Sequence, residues 1–470
     1  MVDPEAVYLR LPVVLQQAAC SFVGWRTERT RYGGAFPRLL SEAEARTYWS
    51  REQIRSYRNA RLADFVEHAA TTVPFYRERF REAGVDPREV RSLDDMSAIP
   101  VLAKGEIQER SADLVSPEGM TGDSRWAHTS GTTGGGLRFP VTLAAAQEQW
   151  ATWWRYRGWH GIAKGTWAGL FAGRSIVPSS QRQPPFWRLN APGRQLLFSG
   201  YHMSPANLPA YVEELRRRKL PWLHGYPSLL ALLAAHLIEA RTDLGYEVQW
   251  VTIGAENLLP HQVSLMERAF GVRPRQHYGL AEGVANISEC EVGSLHVDED
   301  YAAVEFVPTE TEGACRIVGT NFTNRAAPLL RYDTQDVASV SVGASCSCGR
   351  PGRVVQQVDG RLEDYVVLGD GTRIGRMDHI FKDMVNIQEA QIHQSRPGAL
   401  TIRVVRGAGY TDADEQALLA ETVRRVGSET DVAFEYVTSL ARSRTGKLRF
   451  VVSEIPAAAI RGAPSTGARA

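Results

Sequence analysis

Short apolar runs alternate with helix-length amphipathic stretches through the middle of this 470-residue chain, and that alternation narrows the fold more than any other feature. Thr166 to Phe171 is an apolar run bounded by Gly165 and Gly173 and reads as a strand. Ser204-Pro205 marks a helix start, with Ser as N-cap and Pro in the first turn; Leu208, Tyr211, Val212 and Leu215 give that helix its apolar face. Gln249 to Ile253 reads as a buried strand and Leu258 to Phe270 as the helix after it. Strand–helix alternation of this kind implies an α/β sheet fold with crossover connections. From about residue 362 the pattern changes to a compact α+β unit. Its parts are a strand over Leu400 to Val405, an amphipathic helix over Asp412 to Val426 ended by Gly427, and a strand over Val432 to Val437. The expected organisation is therefore α/β, with a large N-terminal domain over 1–361, mixed in sheets and helices, and a small mobile α+β domain over 362–457. The Ala/Gly/Pro/Ser-rich tail, 458–470, is expected to be disordered.

Upstream, Ala60 to Arg81 has helix-like apolar spacing (Phe65, Ala69, Val73), and Ile99-Pro100-Val101-Leu102 marks entry into the main body. The first sixty or so residues are amphipathic and rich in arginine, and are expected to pack as helices on the main domain. Charge is balanced, with net +1 and no basic stripe, so no nucleic-acid partner is expected. No run of about eighteen apolar residues is present, and Val13-Val14-Leu15 is too short for a signal peptide; no membrane partner is expected. The five cysteines, Cys20, Cys290, Cys315, Cys346 and Cys348, are odd in number and show no pairing pattern, which argues against a disulfide framework and for the cytoplasm.

The densest chemical signal is His128-Thr129-Ser130-Gly131-Thr132-Thr133-Gly134-Gly135-Gly136, which packs four glycines and four hydroxyls into nine residues. Glycine lets backbone amides turn toward an anion, successive N–H groups form an anion-binding nest, and hydroxyls add donors. The ligand suited to such a loop is a polyphosphate. It is not a Walker A motif, because Leu137 stands where that motif needs lysine. The plainer alternative is a flexible surface linker.

Four further segments follow in order: Tyr278-Gly279-Leu280-Ala281-Glu282, Arg331-Tyr332-Asp333-Thr334-Gln335-Asp336, Gly360-Arg361-Leu362-Glu363-Asp364 and Arg444-Thr445-Gly446-Lys447. With the glycine run, and with Leu223-His224-Gly225-Tyr226-Pro227-Ser228, Gly254-Ala255-Glu256 and Cys346 to Arg350, this order resembles the adenylate-forming superfamily of acyl-CoA synthetases, peptide-synthetase adenylation domains and luciferases. The nearest branch is that of the phenylacetate–CoA ligase-like proteins, and the resemblance runs from roughly residue 60 to 455. Taken singly, Glu282, Asp336, Lys447 and Arg361 would pass as ordinary surface charges.

The resemblance implies an ATP-dependent ligase that forms an acyl-adenylate with release of pyrophosphate and then passes the acyl group to coenzyme A. Both reactants are anions, so positioning and charge neutralisation dominate. By resemblance, Thr129, Ser130, Gly131, Thr132, Thr133 and Gly134 wrap the β- and γ-phosphates of ATP. Glu282 holds Mg²⁺, a hard cation suited to carboxylate oxygen. Asp336 accepts from the ribose hydroxyls; Gly254, Ala255, Glu256, Tyr278 and Gly279 line the adenine slot; Arg361 sits near ribose or phosphate; Lys447 is the catalytic lysine. Glu363 is the candidate pivot of a mobile small domain. Gly136 and Leu137 replace the family's usual Pro and Lys, and Gln335 replaces a usual glycine, which leaves the local backbone open. In this branch Cys290, His296, Cys346 and Cys348 look like a structural zinc site with no open position. The alternatives are four unrelated groups, with Cys315 as a substitute ligand or a small buried residue. Trp150, Trp153, Trp154, Tyr156 and Trp159, with Phe171, Tyr201 and Tyr226, suit an aryl or arylacetic acid by stacking, although most of them also suit a core. The expected partners are thus a small carboxylic acid and an acceptor, with a homodimer as the expected assembly. An amine or other nitrogen nucleophile as acceptor, and a non-catalytic nucleotide-binding homologue, are the competing readings.

Overall fold

The computed structural model describes residues 4–128, 137–172, 176–178, 180–204, 206–310, 313–340, 343–361, 366–369, 373–374, 377, 380, 386–407, 409–441 and 449–455. Its first half runs through α1 (Pro4–Leu9), α2 (Val13–Arg31), α3 (Phe36–Arg46), α4 (Arg51–Thr72), α5 (Pro74–Ala83), α6 (Lys104–Glu109), β1 (Arg125–His128), β2 (Arg138–Val141), α7 (Leu143–Trp159), β3 (Ala168–Ala172), β4 (Trp187–Asn190), β5 (Gln195–Ser199), α8 (Leu208–Arg218), β6 (Trp222–Gly225) and α9 (Pro227–Glu239). Then come β7 (Trp250–Ile253), α10 (Pro260–Phe270), β8 (Arg275–Gly279), β9 (Asn286–Glu289), β10 (Leu295–Val297), β11 (Ala302–Pro308), β12 (Ala314–Asn321), β13 (Tyr332–Val340), β14 (Val354–Arg361), β15 (Val366–Val367), β16 (Arg373–Ile374), β17 (Ile387–Arg396), β18 (Ala399–Arg406), α11 (Asp412–Val426), β19 (Asp431–Tyr436) and β20 (Val451–Ser453). The fold class is α/β, with a large mixed sheet and a small four-stranded one.

The chain divides into two compact units. The first is 1–170, 187–197 and 275–359; the second is 171–186, 198–274 and 360–470. In the first, seven neighbouring strands run β11-β12-β13-β14-β10-β9-β8. Where β8 pairs with β9, Tyr278 lies opposite Ile287 and Gly279 opposite Asn286, so the Tyr-Gly motif closes one end of that ladder. The core of this unit joins α4 and α5 (Leu62, Phe65, Val66, Phe75, Tyr76) to Val284, Ala303 and Leu330. Ala60 to Arg81 is broken between two helices, because Pro74 opens a new one and Val73 before it adopts extended backbone (φ −106°, ψ 117°).

In the second unit β6 and β7 pair in parallel, Trp222 opposite Trp250, which needs the crossover supplied by α9. The expected helix start at Ser204 lies too early. The helix begins at Leu208 with Pro209 in its first turn, where a missing N–H costs nothing, while the Ser204 carbonyl accepts from Asn207 and Leu208. The small sheet runs β19-β18-β17-β20, mixed, with Ile392, Ile402, Val404 and Leu418 of α11 in its core. Its strands and helix fall where the sequence puts them, and Gly427 follows α11 with φ 80°. No helix among the described residues is long and apolar enough to cross a membrane.

Candidate active site and metal centre

Two motifs meet in the first unit. The Tyr278 hydroxyl donates to Asp336 Oδ2 at 2.7 Å. Burial, then the Asp336 charge, pushes the Tyr278 phenol well above its ordinary range, so it stays a donor. Asp336 is only 8 % exposed. Its own amide donates to Thr334 Oγ1 at 3.1 Å, and the Thr334 hydroxyl donates to the Ile317 carbonyl at 2.8 Å. Gln335 adopts φ 64°, and its amide donates to Asp333 Oδ1 at 2.9 Å. The turn therefore demands left-handed backbone, the reason glycine suits this position. Glu282 is half-buried in the turn after β8, where its carbonyl accepts from Asn321 Nδ2 at 3.3 Å.

Helix α7 is capped by Thr142, whose hydroxyl accepts from the Ala145 amide. The helix divides the sequence's aromatic cluster in two. Trp154 and Tyr156 are buried, whereas Trp150, Trp153 and Trp159 are half-buried. Trp153 lies 4.7 Å from Trp150 and 5.2 Å from His277, ring to ring. Its indole N–H donates to Asn286 Oδ1 at 2.8 Å. The Asn286 amide group donates to Asp298 Oδ2 at 2.5 Å, which also accepts from Ser288, while Asp298 Oδ1 accepts from Arg155 at 2.6 Å. A Cβ on Gly279 would lie 2.8 Å from Asn286 Oδ1 and 3.2 Å from Trp153, so glycine there lets the indole close against β8. Burial, with help from Arg157, lowers the His277 imidazole to about 3 and keeps it neutral.

In the second unit Ala255, after β7, takes φ 70°, and Glu256 Oε2 accepts from the Ser228 amide at 3.2 Å in the first turn of α9. A carboxylate at a helix N-terminus is electrostatically favoured. Phe171 stacks on Phe198 at 4.5 Å as core, while Tyr201 is exposed. Thr129, Ser130, Gly131, Thr132, Thr133 and Gly134, and likewise Glu363 and Lys447, lie outside the described residues, as does the tail. The glycine run connects β1 to β2, which pair antiparallel up to His128 opposite Arg138. Arg361 ends β14.

Cys290, His296, Cys346 and Cys348 converge, their ligand atoms all within 4.8 Å of one another. Cys290 Sγ lies 3.7 Å from Cys346 Sγ, and Cys348 Sγ lies 3.3 Å from His296 Nε2. A tetrahedral zinc, bound about 2.3 Å from sulfur and about 2.0–2.1 Å from nitrogen, sets sulfur–sulfur edges of about 3.8 Å and sulfur–nitrogen edges of about 3.6 Å. The donor set fits that ion. The Gly352 carbonyl contacts His296 Nδ1 at 3.3 Å, which leaves Nε2 for the centre. Burial raises the Cys290 thiol to about 11; at Cys346 burial is outweighed by hydrogen bonds from Ser294, the Cys348 backbone and His296, and the thiol falls to about 6. Cys315, on β12, is no part of this group.

Sequence reasoning missed Ser294, Gly352 and the run Asp298-Glu299-Asp300. A Cβ on Gly352 would lie 2.2 Å from the Val297 carbonyl, so only glycine brings that loop against β10. Asp300 binds Arg46 at 2.6 Å and Arg155 at 2.7 Å; Glu299 binds Arg353 at 2.7 Å and also pairs with Arg58. Despite burial, Arg155 and Arg46 hold the Asp300 carboxyl well below its ordinary range. The available signal was three acids in succession directly after an apolar strand carrying His296.

A family model described as the CapK C-terminal domain matches residues 367–454. The chain is 22 % identical to Protein CapK of Staphylococcus aureus over 457 residues, covering 96 % of this chain and 99 % of that protein. It is 27 % identical to the phenylacetate-coenzyme A ligase of Thermus thermophilus over 351 residues, covering 68 % of this chain and 72 % of that enzyme. A crystal structure of 2-hydroxyisobutyryl-CoA ligase, in the postadenylation state in complex with R3-HIB-AMP, superposes with a TM-score of 0.66 at 20 % identity over 87 % of this chain and 91 % of the other. With its ordered motifs, its α/β fold and these relatives taken together, the chain belongs to the adenylate-forming CoA ligase superfamily, in its phenylacetate–CoA ligase and CapK-like branch.

Proposed function

We propose that this protein activates a carboxylic acid, aromatic in character, as its acyl-adenylate with release of pyrophosphate, and then transfers the acyl group to coenzyme A. The observation that carries the reading is the Tyr278–Asp336 hydrogen bond, which joins two motifs 58 residues apart around one buried carboxylate. The Tyr278 hydroxyl donates to one oxygen of the Asp336 carboxylate and fixes how that acceptor group is turned toward the ribose diol. Gly254, Ala255, Glu256, Tyr278 and Gly279 bound the adenine; Thr129 to Gly134 wrap the β- and γ-phosphates; Arg361 steadies ribose or phosphate. Glu282 holds Mg²⁺, which neutralises phosphate charge. Lys447, on a small C-terminal domain from about residue 362, bridges the acid's carboxylate and the α-phosphate as charge builds. Half-buried Trp153 offers flat apolar surface to an aryl group, whereas Trp150 carries Arg31 over its ring at 4.2 Å and backs Trp153. Relatives named phenylacetate-coenzyme A ligases support acid and acceptor alike. The cysteine cluster is a structural zinc site, and free cysteines suit a cytoplasmic enzyme.

The test is acid-dependent pyrophosphate release over a panel of aryl and aliphatic acids with ATP and Mg²⁺, with and without coenzyme A. Aryl acids are expected to release pyrophosphate and to give a thioester when coenzyme A is added. Release without thioester, and amide formation with an added amine, would replace the acceptor. Lys447→Ala is expected to cut adenylation by orders of magnitude with ATP binding retained, because the lysine acts mainly in the transition state; near wild-type adenylation in that variant would overturn its role.

A further inference from the structure

Helix α2 turns its largest apolar side chains away from the protein. Its inner side is polar or small. Gln16, 1 % exposed, accepts from buried Arg188 Nε at 2.7 Å and donates to the Tyr8 and Leu9 carbonyls. Ser21 donates to the Leu189 carbonyl at 3.1 Å. Gly24 sits so tightly on Asn190 that a Cβ would lie 1.7 Å from its Oδ1. The outer side is apolar: Val14 is 76 % exposed, Phe22 and Val23 62 % each, Leu15 50 % and Trp25 46 %. Val14, Ala18, Phe22 and Trp25 follow one another at helical spacing, so they form one stripe, with Phe22 and Trp25 stacked at 5.8 Å. The inner hydrogen bonds fix which side faces out. Contiguous apolar surface of this kind marks an interaction site rather than ordinary exposure.

Charge identifies the occupant. Exposed Arg10, Arg26 and Arg29 flank the stripe, with Arg29 over the Trp25 ring at 4.9 Å. The helix has one acid, Glu28, and Lys164 already pairs with it at 2.5 Å. The exposed side chains of this face are thus apolar or cationic, the combination an anionic lipid surface accepts, with aromatic and aliphatic groups at the acyl boundary and arginines at the headgroups. A second copy of the chain fits it poorly, since self-pairing would set arginines against arginines with no acid between them.

We propose that the outer face of α2 docks the protein on an anionic lipid surface, in contrast to the sequence's lack of any membrane signal. The docking is independent of the catalytic reading and is measured without turnover. Full-length protein is sedimented with phosphatidylcholine vesicles, with or without phosphatidylglycerol, at low and high salt. Co-sedimentation is expected with the phosphatidylglycerol vesicles at low salt, and its loss at high salt. Arg26→Gln with Arg29→Gln is expected to weaken binding about thirtyfold, from the attraction each arginine adds near an anionic surface. Phe22→Ser with Trp25→Ser is expected to abolish it without lowering the melting temperature, because both side chains already face outward. Absence of binding to anionic vesicles, or equal binding by both variants, overturns the proposal. A dimer in sedimentation velocity that Phe22→Ser with Trp25→Ser dissociates, without lipid binding, reassigns the face to self-association and equally overturns it.

Discussion

A phenol donating to a buried carboxylate fixes that carboxylate's orientation, and Tyr278 does this for Asp336. Tyr278→Phe removes a hydrogen bond to a charged group, a loss of about 1.5–3 kcal/mol. The expected outcome is an ATP KM raised about tenfold or more, with the acid's KM little changed; an equal rise in both would detach Asp336 from the nucleotide. Trp153 is held similarly, with Asn286 oriented by Asp298. Trp153→Phe keeps a ring and loses the N–H, and Asn286→Ala loses its acceptor. A double-mutant cycle on kcat/KM for the acid is expected to show coupling of about 1 kcal/mol, with ATP kinetics unmoved. Strict additivity would break the link. At this scale Tyr278 and Asp336 could be singled out from sequence because each motif carries its chemistry locally. Asn286 and Asp298 were not, since their roles come from partners brought over from a distant helix. Gln335 lies between the two: the sequence flagged the position, and only the backbone gives φ 64° as the reason.

Among elements, the strands and helix of the small sheet were readable because period and punctuation agree there, as with Gly427 after α11. Pro74 was present in the Ala60 to Arg81 segment all along; apolar spacing continued past it, and the backbone could not. The acidic run after β10 was illegible for a different reason. Its partners sit on α3, α4 and α7, so nothing nearby in sequence announces that these charges are buried. Asp300→Asn leaves Arg46 and Arg155 short of compensating charge and is expected to destabilise by about 3–5 kcal/mol in denaturant unfolding. A change within a few tenths of a kcal/mol would mean that water reaches the cluster.

For the molecule as a whole, the convergence of Cys290, His296, Cys346 and Cys348 brings the β9–β10 turn against the loop before β14. Purified protein is expected to carry about one zinc per chain, and Cys346→Ser to lose it with a lower melting temperature. Wild-type protein with well under one zinc per chain, never exposed to chelator, would sink the metal assignment. The division into two units was not visible in sequence, because each is assembled from separated segments of chain. The buried Arg155–Asp300 pair spans 145 residues, and this has a bearing on synthesis. At about 5–20 residues per second, a ribosome needs on the order of ten seconds to travel that distance. For that interval the arginine has left the ribosome without its aspartate, so its surroundings stay hydrated and the first unit cannot close. Slowing or pausing translation between the two codons would lengthen exposure of the half-made unit to chaperones and proteases, whereas pausing once residues up to 359 have emerged would not.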